Sequence, residues 1–74
     1  MKPMKLTALL EPYKLNRLTQ VTDISVYRLH KLTKEPLDMT IAEMDSLGKF
    51  IGEDYRFVYE CLLLQDKHNL LNVE

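Results

Sequence analysis

Apolar residues recur at helical spacing along almost the whole chain, and no stretch sustains the period-two alternation of a half-buried strand, so the pattern predicts an all-α protein. Leu6, Leu9, Leu10 and Tyr13 fall at i, i+3, i+4 and i+7, one face of a short first helix. Pro12 must end or kink it, because the ring clashes with the preceding turn and supplies no backbone donor. A second helix starts near Tyr13 or Lys14, with Leu15, Leu18 and Thr22 on one face. Asp23, Ile24 and Ser25 break it: Asp tolerates the left-handed conformation better than most residues, and Ser is a preferred N-cap. A third helix therefore opens at Val26. Its inward stripe is Leu29 and Leu32, which leaves Val26, Tyr27, Arg28, His30, Lys31 and Lys34 largely outside. Glu35 to Met39 form a loop, since the residue before Pro36 is pushed away from the α region.

Thr40 and Glu43 stand three apart ahead of an apolar-periodic run, the spacing at which each side chain satisfies the other's free backbone donor. A fourth helix begins there, with Ile41, Met44, Leu47 and Ile51 as its buried stripe and Gly48 allowing another helix to come close. Gly52 stops it, and Glu53 or Asp54 caps a last helix over about 54–69. That helix carries Phe57, Val58, Cys61, Leu62 and Leu64, followed by Leu70, Leu71 and Val73.

Length and charge sharpen this picture. Seventy-four residues make one compact unit with a single core and leave no room for a separate sensor or catalytic domain. A chain this small buries a modest share of its surface and usually draws support from disulfides, a metal or a partner subunit. The sole Cys61 excludes an internal disulfide, and His30 and His68 lack the spacing of a zinc site, so no metal or cofactor is expected and self-association remains. The net charge of −1 conceals a division. Residues 1 to 34 hold seven cations against two anions, a balance of +5, whereas residues 35 to 74 hold three against nine, a balance of −6. Such a division suits a first half that faces a polyanion, although solvated helix faces of uneven charge are the plainer alternative.

Residues 15 to 32, with the fourth helix following, resemble the helix-turn-helix of the lambda-repressor-like family, which includes the phage repressor, Cro and XRE proteins. The run Leu18, Thr19, Gln20, Val21, Thr22, Asp23, Ile24, Ser25, Val26, Tyr27, Arg28, Leu29, His30, Lys31, Leu32 carries the likeness. Thr40, Ile41, Met44, Leu47, Gly48, Ile51 and Gly52 extend it, so that it covers roughly residues 5 to 55. Asp23 stands where the family has its turn glycine, Thr19 where it usually has alanine, and Leu15 where many members place a glutamine that touches phosphate.

The resemblance implies a compact five-helix DNA-binding domain, with the helix-turn-helix over about 14–34, that acts as a sequence-specific transcriptional regulator on double-stranded DNA. The helix after Ser25 would enter the major groove, with Val26, Tyr27, Arg28 and Lys31 on base edges. Lys14, Asn16, Arg17, Gln20, Ser25 and Lys34 would hold the phosphate backbone. Useful affinity in this class normally comes from a two-fold dimer, and the C-terminal helix, through Leu62, Leu63, Leu64, Leu70, Leu71 and Val73, is the expected homodimer interface. Two plainer roles stay open: Val26 and Tyr27 as cover for part of the core or as a dimer contact, and the C-terminal leucines as part of the chain's own core. A helical protein-interaction module, antitoxin-like or antirepressor-like, is the alternative function.

Other chemistry finds little support. No Ser/His/Asp set, paired-carboxylate site or glycine-rich phosphate loop can be assembled, so an enzyme is not expected. Cys61 lies between Phe57 and Leu64 at helical spacing, as a small buried apolar residue would. No apolar run reaches the roughly 20 residues that span a bilayer, and a signal-peptide pattern is missing, so a cytoplasmic address is expected.

Overall fold

Local devices set the helix boundaries. The computed structural model describes residues 2–72, and Val73 lies outside them. Helix α1 spans Leu6–Leu10 and stops at the Glu11–Pro12 step. Helix α2 spans Leu15–Thr22 and ends where Asp23 turns left-handed at φ 61°, its N–H donating to the Thr19 carbonyl. The Thr22 hydroxyl reinforces that end, donating to the Leu18 carbonyl and accepting from the Ile24 N–H. Ser25 then caps α3, Val26–Lys34, by accepting from the Arg28 N–H at 3.1 Å.

The loop expected over residues 35 to 39 contains a 3₁₀ turn, Pro36–Asp38, with Pro36 and Met39 buried. Helix α4, Ile41–Ile51, opens on the full capping box: Glu43 N–H to Thr40 Oγ1 at 3.1 Å and Thr40 N–H to Glu43 Oε1 at 2.8 Å. It closes in a Schellman motif at Gly52, φ 79°, where the Glu53 N–H reaches the Gly48 carbonyl at 2.8 Å. Asp54 caps α5, Tyr55–Leu71, by accepting from the Phe57 N–H at 3.0 Å. The last helix thus runs two residues past the Asn69 end expected from sequence.

All five helices feed one core around α5. Leu6, Leu9 and Leu10 meet Leu18, Ile24, Leu29, Leu32, Met39, Met44 and Leu47 over Phe57, Val58, Cys61 and Leu62. Full burial of a leucine is worth about 1.5–3 kcal/mol, so this cluster is the main source of stability. Burial raises the Cys61 thiol above its ordinary pKa, which keeps it protonated. Tyr13, past the end of α1, packs edge-on against Phe50 with ring centroids 5.0 Å apart.

The structure corrects several expected positions. Ile41 is 70% exposed, because the first side chain of a helix leans over the turn before it, beyond the edge of the core. Leu15 is exposed for the same reason at the start of α2. Ile24, expected within the break, is buried, and so is Gln65, a position that the sequence pattern leaves unassigned. Gly48 does admit a close approach, but from the backbone of the α4–α5 corner: a Cβ there would lie 2.8 Å from the Glu53 oxygen.

Candidate nucleic-acid interface

Helix α3 buries Leu29 and Leu32 and turns a ridge in the opposite direction, with Tyr27, Lys31 and Lys34 at i, i+4 and i+7. Tyr27 is 80% exposed, far more than a place in the chain's own core would leave it. His30, Lys31 and Lys34 are also exposed, and Val26 is half-buried beside the start of the helix. Helix α2 presents Asn16, Arg17 and Gln20 to solvent, preceded by exposed Lys14. Among the described residues no side chain caps the first turn of α2, so its backbone N–H groups keep their partial positive charge unspent.

The ridge is largely free of internal neutralisation. Among the described residues Lys14, Arg17 and Lys34 have no carboxylate within 4.0 Å, and Lys31 lies at that limit from Asp38. Ser25 is exposed, so its hydroxyl can still donate outward while its oxygen caps α3.

Arg28 departs from its expected role as a base contact. Its Nε and Nη2 each reach a Glu43 carboxylate oxygen at 2.9 Å, while Nη1 meets Asp38 Oδ2 and Nη2 also meets the Asp38 carbonyl, both at 2.9 Å. A guanidinium matched in this bidentate way is held by charge-assisted bonds and is directed toward α4, away from the exposed ridge. The bonds from Glu43, then Asp38, raise the Arg28 pKa further above an already high value. Reciprocally, Arg28 holds the Glu43 carboxylate below its ordinary pKa, with help from the Thr40 N–H and against partial burial. The sequence pattern assigns Glu43 to the cap alone; Arg28, fifteen positions away, carries no local signal of the second bond.

The expected dimer face is divided. Leu62 is fully buried and belongs to the core, so it is withdrawn from the interface. Leu63 and Leu64 are about two-fifths exposed, and Leu70 and Leu71 are mostly exposed. Exposed Tyr55 and Tyr59 line up with Leu63 and Leu70 along α5, a stripe at i, i+4, i+8 and i+15 that adds two tyrosines to the leucines expected there, at a spacing visible in the sequence. A shallow groove of about 310 Å³ lies between Pro3, Glu60, Leu63 and Leu64. Another, about 300 Å³, is walled by Leu10, Tyr13, Leu15 and Leu29, with His30 and Thr33 at its side.

Among the described residues no three potential metal ligands converge, and no helix is long and apolar enough to cross a membrane. Compared with known proteins, the chain matches no family model, no curated protein and no solved structure.

Proposed function

We propose that this protein is a small sequence-specific DNA-binding regulator of phage or bacterial type that places α3 in the major groove and acts by occupancy. The observation that carries the reading is the Tyr27–Lys31–Lys34 ridge, a cationic and aromatic edge turned away from the core on a helix capped by Ser25 after a left-handed Asp23. Lys31 donates to guanine O6 and N7, Val26 packs on a thymine methyl, and Tyr27 contacts a base through its ring or hydroxyl. Lys14, Asn16, Arg17, Gln20, Ser25 and Lys34 hold phosphates on either side. Arg28 serves the site indirectly by tying α3 to α4. Two copies associate through the exposed side of α5, at Leu63, Leu64, Leu70 and Leu71, and present two reading helices about one helical turn apart.

The test is duplex binding measured across a salt series. Log affinity should fall steeply with log salt, and Arg17→Ala should flatten the slope by about one unit for the phosphate it no longer neutralises. Lys31→Ala should chiefly relax sequence preference. A salt response that is flat for the parent protein overturns the proposal. Exposed Leu15, at the mouth of the Leu10–Tyr13–Leu29 groove, favours a second reading, a protein-interaction module on the same scaffold. A co-purifying protein together with absent duplex binding would decide for it.

A further inference from the structure

Three polar side chains join helices whose ends would otherwise be unsatisfied. The Gln65 Oε1 accepts from the Thr7 N–H at 2.9 Å and from the Thr7 hydroxyl at 3.0 Å. Its Nε2 donates to Asn69 Oδ1 at 2.8 Å, and the Asn69 Nδ2 donates to the carbonyls of Thr33 at 2.9 Å and Lys34 at 3.3 Å. The Thr7 N–H is one of the donors that the first turn of α1 cannot pair, and the two carbonyls are among the acceptors left over at the end of α3. Each amide has one workable orientation. Turning Gln65 would set its Nε2 against the Thr7 N–H and its Oε1 against Asn69 Oδ1, and turning Asn69 would set two oxygens against the α3 carbonyls.

We infer that this Thr7–Gln65–Asn69 relay positions the reading helix: α5 grips the last turn of α3, with Asn69 as the positioning residue and Gln65 fixing which way Asn69 faces. The inference rests on the reading of α3 as the groove-binding helix and adds to it the element that sets its tilt. Because a buried amide left without its partner is costly, a fault at one end of the relay passes to the other.

Gln65→Glu tests this directly. It keeps the acceptor for Thr7 but replaces the donor to Asn69 with an oxygen, so Asn69 must turn and offer its own oxygen to α3, to which residue 65 itself makes no hydrogen bond. Amide exchange is followed by NMR at about pH 8, to keep the introduced carboxyl ionised, for the parent, Gln65→Glu, Asn69→Ala and the double variant. Exchange at the end of α3, read at the Glu35 N–H bonded to the Lys31 carbonyl, should accelerate about tenfold relative to α4 in each single variant and no further in the double. Duplex affinity should fall with an unchanged salt slope, since every phosphate-holding side chain is still present. Equal acceleration in α3 and α4, or additive effects in the double variant, would overturn the relay. A parent protein that binds no duplex would remove the groove reading, whereas the exchange data would still decide the relay.

Discussion

Replacing Gly48 with alanine isolates the contact that joins the fourth and fifth helices. The new methyl would lie 2.8 Å from the Glu53 carbonyl oxygen and 3.1 Å from the carbonyl carbon and oxygen of Asp54. All three are backbone atoms, so no side chain can rotate out of the way. Alanine recovers about 1 kcal/mol of helix propensity, whereas overfilling a tight contact costs about 1–3 kcal/mol. The corner is also fixed by the Glu53 bond to the Gly48 carbonyl and by the Asp54 cap, and a retreat strains both, which puts the cost at the upper end. The net loss is about 1–2 kcal/mol. For a domain of this size that lowers Tm by about 5–15 °C, measurable by far-ultraviolet circular dichroism and by urea midpoints. Gly52→Ala provides the comparison: its φ of 79° strains an L residue, but no atom lies within 4 Å, so it should lose about 1 kcal/mol from the backbone alone. A Gly48→Ala protein that melts at or above the parent would refute the close-approach argument.

Further expectations follow from the ion pair, the core boundary and the turn. Glu43 is held below its ordinary pKa mainly by Arg28, so its contribution is complete above about pH 4.5 and lost as pH falls through the lower folded-state value. Urea titrations from neutral pH into the acid range should show a shallower loss for Glu43→Gln than for the parent, and parallel curves would contradict the assignment. Leu62→Ala should cost about 2–5 kcal/mol in denaturant, while Leu70→Ser should leave monomer stability nearly unchanged and weaken self-association in sedimentation velocity. At Asp23, glycine should match or exceed the parent by up to about 1 kcal/mol and alanine should fall below it; the reverse order in thermal melts would count against the left-handed turn.

What could be read from sequence was local. Asp23, Ser25, the Thr40–Glu43 pair, Gly52 and Asp54 act within a turn of their own position, and each boundary they imply is found. The inward stripe of Leu29 and Leu32 was equally legible, because one helical face determines it. The departures are tertiary. Arg28 is captured by Glu43 across 15 positions, and Gln65 answers Thr7 across 58, separations at which periodicity carries no information. Leu62, Leu63 and Leu64 are indistinguishable as letters; the phase of α5 against α4 and α1 puts the first inside and leaves the other two partly exposed. The outward position of Lys31 and Lys34 on α3 is legible from the pattern, but the removal of Arg28 from that set needs the fold.

The bond between Thr7 and Gln65 also closes most of the chain into one loop. The segment around α1 contributes Leu6, Leu9 and Leu10 to the core, yet the amide that completes its opening turn stands 58 positions further on. Closing so long a loop is entropically slow compared with forming the neighbouring hairpin of helices around Gly52. The amino-terminal leucines are therefore the part of the core that costs most chain entropy to bring in, and wherever α1 is undocked Leu6, Leu9 and Leu10 lie uncovered as one oily patch.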